Sequence, residues 1–477
     1  KQIGVALEKG FLEKSVRQLI ELEQQLTRQA YYDAVTGLAN RNFLNDELQR
    51  LTTRPFPSSA AVLLIDLDDF KTVNDSLGHV AGDRLLSVTA QRLLDVVQDE
   101  GIVARIGGDE FAIVLHKVDN VETVMHLAER LISVVSEQVT LDRREVFIGA
   151  SVGIRVTESQ ADLPTDLLRD ADLALYTAKS RGKGTAALFE KSMYEQAEQR
   201  LIMSNALVTA VERDEFALVF QPIVHLDTQR IAGVEALVRW RHPERGEIPP
   251  TQFLTLTEES GLIVVLGRNI LRQALTALAG WMPLLVDETF YISVNVSPRQ
   301  LREPDYASSV LTLLEQYKVP ANRLVLEVTE SMLIEDVART KDVLEQLTDA
   351  GVRFSLDDFG TGYSSLSQMQ QLPFHQLKVD QSFVRRLGAG RDSAVVIRAI
   401  LQLAEAMKLD AVAEGIETSG QMRELMLLGC AKGQGWLFSK ALPSFQVAEL
   451  LAAAAPQPSD RSPLESNLSE RSSVSAC

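Results

Sequence analysis

The sequence has little cysteine, little histidine and no excess of positive charge, and each shortage removes a class of protein. Two cysteines occur in 477 residues, Cys430 and Cys477. They are too few and too far apart for a disulfide framework or a metal knuckle, which points to a reducing, cytoplasmic setting. Lys and Arg number 48 against 65 Asp and Glu, a formal net charge of −17. Duplex binding needs a basic face that displaces counterions, so no nucleic-acid partner is expected. A small phosphate ligand is still compatible, because a few cations and a divalent ion reverse the field locally. No apolar run approaches the roughly 20 residues of a membrane span. The longest candidate, Ile270 to Val286, is interrupted by Arg272 and Gln273 and reads as an amphipathic helix. The opening lacks a signal peptide's charged-then-apolar order; beginning on Lys1, it reads as a soluble piece of a longer protein.

What is present is enough apolar sequence, 45%, for two or three domains with cores. In residues 1–30, Val5, Leu12, Leu19 and Leu26 recur every seven residues. That is one stripe of a coiled coil without a good second, so the segment is a solvated connector helix or a dimerising signalling helix. Over 31–191, strands such as AAVLLIDLDDF and EVFIGASVGI mix with helices such as HVAGDRLLSVTAQRLLDVV and TDLLRDADLALYTAKSRG, and 102–116 forms a hairpin. This mixture predicts an α+β sandwich. Over 196–455 the rhythm becomes strand-then-helix. About eight strands in some 250 residues predicts a (β/α)8 TIM-like barrel. Its first two strands, FALVFQPIV and IAGVEALVRW, look hairpin-connected, so one runs antiparallel, and its last is a short one near GWLF. Residues 456–477 are polar and aperiodic, the composition of a disordered tail.

Barrel chemistry sits at the C-terminal ends of strands. Those ends here carry Glu235, Asn295, Glu327 with Glu330, Asp357 with Asp358, Lys378 with Asp380, Glu414 with Glu417, and Gln434. One such acid is ordinarily a solvated loop residue or a helix N-cap. A ring of them repels itself unless cations sit inside it. Oxygen ligands without His or Cys favour Mg2+ or Mn2+, and adjacent acids reaching different ions suit a two-metal phosphoryl displacement. Lys378 adds positive charge at the phosphoryl oxygens. The glycines of DDFGTGYSSL (357–366) suit a mobile loop over the site.

The other acidic focus is ARIGGDEF, residues 104–111. Asp66 and Asp109 each end a strand, and if those strands are neighbours the two acids share a divalent ion. Gly107 and Gly108 let the backbone approach a base or a phosphate where a Cβ would clash. Glu110 strengthens the field beside the metal. Lys179 and Lys183, four apart, would lie on one helix face and clasp a triphosphate.

Two resemblances follow from these motifs. QPIV, Glu235-Ala236-Leu237 within EALVRW, NVS, EVTE, DDFGTGYSSL, KVD, AEGIE and GQGWLF stand in family order. Residues 196–453 thus resemble an EAL-type cyclic di-GMP phosphodiesterase. The resemblance implies that Glu235, Asn295, Glu327, Asp357 and Asp358 hold two Mg2+ or Mn2+ ions, with Glu414 and Gln434 joining directly or through water. It implies that Lys378 supports the attacking water and Glu330 braces the glycine loop. Gln221 and Arg239 would contact the dinucleotide, as would Asp380 and Gln434, and the product would be pGpG. DAVTGLANR (33–41), DLDDFKTVND (66–75), GHVAGD (78–83), RIGGDEF (105–111) and AKSRGKG (178–184) likewise resemble the GGDEF diguanylate cyclase domain. That likeness implies one or two metal ions on Asp66, Asp109 and the Leu67 carbonyl, with guanine read by Asn74 and Asp83. Phosphates would be held by Arg105, Lys179 and Lys183, and Glu110 would assist catalysis. Cyclisation of two GTP requires two domains face to face, hence a homodimer. The family's frequent Arg-x-x-Asp product brake is replaced by Gln98-Asp99-Glu100-Gly101, so no tight brake is expected there. QIGVALEKGFLEK resembles the closing helix of a GAF-type sensor domain upstream. Three activities remain open: a phosphodiesterase with a regulatory GTP-binding domain, a bifunctional enzyme, and a non-catalytic module that binds nucleotides and signals through protein contacts.

Overall fold

The computed structural model describes residues 22–23, 25–53, 59–141, 143–157, 163–330, 337–360, 369–387 and 393–454. Most of the N-terminal heptad stripe, the GAF-like opening, residues 361–368 of the glycine loop and the tail 456–477 lie outside them. The chain divides into two compact units, Lys1–Leu201 and Ile202–Cys477.

In the first unit the elements are α1 (Arg41–Thr53), β1 (Ser59–Asp68), α2 (Phe70–Leu77), α3 (His79–Val97), β2 (Gly101–Gly107), β3 (Glu110–Val118), α4 (Val121–Val135), β4 (Val139–Leu141), β5 (Arg144–Val146), β6 (Gly149–Val156), α5 (Pro164–Ser180) and β7 (Ala186–Leu188). The sheet runs β2-β3-β1-β6-β7, antiparallel except for β6 with β7. Its centre, β1, is apolar on both faces because both are covered. Ala61, Leu63, Ile65 and Leu67 enter one core with α3 and α4, while Ala60, Val62 and Leu64 enter another with α1 and α5. Helix α5 lies so close to β6 that a Cβ on Gly153 would stand 2.1 Å from the Ala171 carbonyl oxygen. EVFIGASVGI is two strands, not one. Residues 144–146 pair with β4 in a separate hairpin, and the sheet strand begins at Gly149.

Helix α6 (Ser192–Glu212) begins in the first unit and ends in the second. The second unit continues with β8 (Phe216–His225), β9 (Ile231–His242), β10 (Gly246–Ile248), α7 (Pro250–Ser260), α8 (Ile263–Trp281), β11 (Tyr291–Asn295), α9 (Pro298–Leu301), α10 (Tyr306–Tyr317), β12 (Leu324–Thr329), α11 (Val337–Asp349), β13 (Arg353–Phe359), β14 (Gln376–Val379), α12 (Gln381–Arg385), α13 (Ser393–Ala406), β15 (Asp410–Ala413), α14 (Ser419–Leu427), β16 (Lys432–Gly433) and α15 (Ser444–Ala454). Eight strands close a barrel in the order β9-β11-β12-β13-β14-β15-β16-β8, and β8 returns to β9. As expected, β8 runs antiparallel to both neighbours, since the short β8–β9 connection has no room for a crossover helix. The amphipathic helix runs from Ile263 to Trp281 rather than from Ile270 to Val286. The last strand is the short one expected near GWLF, Lys432–Gly433. Just beyond it a Cβ on Gly435 would meet the Ile416 carbonyl oxygen at 2.1 Å, so the backbone packs too closely there for a side chain, and residues 436–438 turn. Among the described residues no helix is long and apolar enough to cross a membrane.

Candidate active site

The barrel mouth gathers its charged groups by register. Ser293 of β11 pairs with Glu235, Asn295 with Glu327, and Thr329 of β12 with Asp357. Glu235 is the fifth residue of a twelve-residue strand, not a strand end, because the β8–β9 hairpin continues beyond the mouth. Adjacent side chains of a regular strand face opposite ways. In β13 the register shifts between Leu356 and Phe359, and Asp358 adopts φ +55°. That bulge lets Asp357 and Asp358 work together: with Glu414 they present ligand oxygens all within 4.8 Å of one another.

Lys378, 1% exposed, stands at the centre. Its Nζ lies 2.6 Å from Glu414 Oε1, 2.9 Å from Glu327 Oε2, 3.3 Å from Asp357 Oδ1 and 3.4 Å from Glu235 Oε1. Glu235 also accepts from Asn295 Nδ2 at 3.0 Å and from Gln434 Nε2 at 2.6 Å, and Gln434 Nε2 lies 3.2 Å from Glu414 Oε1. Burial pushes the Glu235 carboxyl up, but Lys378 and these two amides outweigh it and hold the group below its usual value. Glu327 and Glu414 go the other way. Burial raises Glu327 well above the carboxylate range and pushes Glu414 up to about 8, despite Lys378. Burial, then Asp357, raises Asp358.

These residues fit divalent cations. Five carboxylates with one ammonium carry a formal excess of four negative charges, which two divalent ions cancel. The donor set is oxygen-rich and lacks sulfur or imidazole. Glu327 Oε1 is buried without a hydrogen-bond partner, as a ligand oxygen reserved for an ion would be.

The remaining predicted residues frame this centre. Glu330, 4% exposed, accepts from the Gly360 N–H at 3.0 Å. Gln221 donates to the Ser439 carbonyl at 3.2 Å. Arg239 lies 3.4 Å from Glu247 and donates to the Val238 carbonyl. Asp380 is the N-cap of α12, accepting from Ser382 N–H at 2.9 Å.

In the first unit Asp66 is the cross-strand partner of Glu110, and the Leu67 N–H donates to the Asp109 carbonyl at 3.3 Å. The three acids therefore share one end of the sheet. Burial raises the Asp66 carboxyl against the pull of Lys179. Burial, with Asp66, Asp172 and Asp109, raises Glu110. These acids do not form a three-carboxylate group as tight as the barrel's among the described residues. Asn74 lies over α3, where a Cβ on Gly82 would meet its Oδ1 at 2.0 Å, and Asp83 is exposed on the same helix. Gly107 and Gly108 have φ +155° and +56° with open space above them.

Two expectations change here. Lys179 and Lys183 do not share a helix face: α5 ends at Ser180, and Lys183 sits beyond it at φ +58°. Lys179 pairs with Asp66 and Lys183 with Asp69, each at 2.7 Å. Arg105 is turned toward the hairpin itself. Its guanidinium pairs with Asp33 at 3.0 Å and donates to the Gly108 carbonyl at 2.7 and 3.1 Å. The sequence reading gave Asp33 and Asp69 no role. Asp69 could have been suspected from the acid run, whereas nothing in the spacing links Asp33 to Arg105.

Comparison with known proteins agrees with this geometry. Residues 204–441 match the EAL domain model, and residues 30–185 match the model described as diguanylate cyclase, GGDEF domain. An uncharacterised protein of Mycobacterium bovis is 36% identical over 92% of this chain and 70% of its own length. MucR of Pseudomonas aeruginosa, named as a bifunctional diguanylate cyclase/cyclic di-GMP phosphodiesterase, is 37% identical over 92% of this chain and 63% of its own. The chain spans about half the length of other curated relatives, 54% and 53%. The S helix–GGDEF–EAL structure of Vibrio cholerae LapD, solved with cyclic di-GMP, covers 89% of this chain and 100% of its own at a TM-score of 0.61. At 20% identity it shows a shared fold.

Proposed function

The chain belongs to the EAL family, with a GGDEF domain ahead of the barrel, and we propose that the barrel hydrolyses cyclic di-GMP to pGpG while the GGDEF domain binds GTP. The observation that carries this reading is the buried ring of four carboxyl groups around Lys378, which with the adjacent Asp358 has a formal four-charge excess that two divalent ions match. Glu235, Asn295, Glu327, Asp357, Asp358 and Glu414 would hold Mg2+ or Mn2+, with Gln434 orienting Glu235 and Glu414. When bound, the cations supply an acidified water and neutralise the phosphodiester.

The chain's own residues do the rest. Lys378 directs its ammonium toward the oxygens that gain charge. Gln221 and Arg239 hold the dinucleotide, and Glu330 fixes the backbone at Gly360 behind the metal acids. Water oxygen bonds to phosphorus, the bond to the 3′ oxygen breaks, and the water's proton ends on that departing oxygen. One diester becomes a 5′-phosphate and a 3′-hydroxyl.

In the GGDEF domain Asp66, Asp109 and the Leu67 carbonyl would hold metal, with Asn74 and Asp83 on guanine and Lys179 and Lys183 on phosphates. Arg105 would act through the hairpin it clamps rather than on phosphate. Cyclisation of two GTP is the second activity this domain supports, through a homodimer in the cytoplasm under an upstream sensor domain. The test is incubation with Mg2+ and GTP, cyclic di-GMP or both, followed by chromatography. Conversion of cyclic di-GMP to pGpG is expected, and its absence sinks the barrel assignment. Cyclic di-GMP or pGpG formed from GTP alone establishes the cyclase.

A further inference from the structure

Beyond α5, Gly182, Lys183 and Gly184 have φ of +123°, +58° and +60°. Glycine accepts this region freely, whereas Lys183 carries a Cβ and does not. A turn of three such residues needs a tie from outside. That tie is Asp68, the last residue of β1 and 9% exposed. One carboxylate oxygen accepts from the Gly184 N–H at 3.0 Å, and the other accepts from the Ser151 hydroxyl at 2.8 Å. The Ser151 oxygen also lies 3.2 Å from the Gly184 nitrogen. Gly149, the strand partner of Asp68, leaves room for the carboxylate, since a Cβ there would stand 3.0 Å from Asp68 Oδ2.

Asp66 and Asp68 lie two apart on β1 and so face the same side. Asp66 meets Lys179 on the helix, and Asp68 meets the backbone of the turn that follows it. Asp69, the next residue, meets the Lys183 ammonium. The end of one strand thus sets both the reach and the backbone of the two-lysine segment.

We propose that Asp68 is a positioning residue for triphosphate binding: it touches no ligand and fixes the left-handed turn that aims Lys183. The inference rests on the reading that this domain binds GTP through its lysines. Its consequence is selective, because the turn serves phosphates while Asn74 and Asp83 serve the base. Losing Asp68 should weaken a triphosphate far more than a monophosphate.

The test is calorimetric titration of the full chain with α,β-methylene GTP and with GMP, in Mg2+, with melting temperatures recorded alongside. Wild type should prefer the triphosphate. Asp68→Ala should lower triphosphate affinity by about tenfold, the scale of a lost hydrogen bond to a charged group, and leave GMP affinity unchanged. Asp68→Asn should recover most of the loss, since its oxygen still accepts from Gly184 while its amide donates to Ser151. Gly149→Ala, which crowds the carboxylate, should give a smaller loss with the same selectivity and serves if Asp68→Ala does not fold. Equal losses for both ligands, or no loss in these variants, overturn the proposal. A wild type without triphosphate preference overturns the GTP reading itself, and is told apart because it appears before any substitution is made.

Discussion

Lys378 is held by four carboxylates at 2.6 to 3.4 Å, so its removal separates binding from chemistry. Lys378→Met keeps the length of the side chain and deletes the charge. Turnover at saturating cyclic di-GMP should fall by roughly 10²–10³-fold, the scale for losing one preorganised charge partner, with substrate affinity little changed; single-turnover pGpG formation measures both. Glu235→Ala should abolish cleavage while GTP binding persists, because the two residue sets lie in separate units; retained cleavage would contradict the metal assignment. At the hairpin, Asp33 offers a pH test of the Arg105 clamp. Burial pushes its carboxyl up, but hydrogen bonds from Thr36 and Arg105 outweigh that and hold it below the usual 3.8. A carboxyl depressed in the folded state stabilises fully above its unfolded pKa and loses that contribution as pH falls through the folded one. Protection of the Arg105 amide, which donates to the Ala39 carbonyl at 2.8 Å, against hydrogen exchange should therefore persist down to pH 4 and fade below 3.8. Fading already at pH 5 would mean that Asp33 does not clamp the hairpin.

At the scale of elements, the barrel mouth depends on a kink as much as on strands. The β13 bulge presents Asp357 and Asp358 together, and Glu330 secures the next segment through the Gly360 N–H. Glu330→Ala removes that acceptor, so cleavage should fall by roughly 10- to 150-fold, the range of one hydrogen bond to a charged group. The melting temperature should hardly move, and hydrogen exchange should quicken around residue 360; a large stability loss with normal exchange there would contradict a local brace. The apolar rhythm and the acids were legible because strands and metals impose them directly. Glu235 looked like a strand end only because sequence does not show how far a hairpin outgrows a barrel. The two-residue strand Lys432–Gly433 carries too little pattern of its own, so it could be placed only approximately, near the apolar GWLF. Lys179 and Lys183 fit a helix face by spacing, yet Gly182 between them is a stop signal of the kind that ends helices. The Asp33–Arg105 contact joins residues 72 apart, and no local rule reaches that far.

At the scale of the whole molecule, the two units have separate cores. One is built on both faces of the β1-centred sheet, the other around and inside the barrel. Unfolding should therefore show two transitions, and ligands should address them one at a time. A ligand that binds only the native state stabilises by RT ln(1 + [L]/Kd), about 2.7 kcal/mol at 100-fold excess over Kd. Mg2+ or Mn2+ should raise the barrel transition because the ring around Lys378, with Asp358, sets five carboxyl groups against one ammonium, and chelation should lower it again. GTP with Mg2+ should raise the other transition. Calorimetry of wild type and Glu235→Gln decides the matter. The substitution removes one ligand charge from the barrel, so its transition should lose most of its response to cations while the response of the first unit to GTP stays whole. If both transitions move together in every condition, the units are not thermodynamically separate. If neither responds to divalent ions, the charge balance at the barrel mouth is met in some other way and the two-metal reading falls.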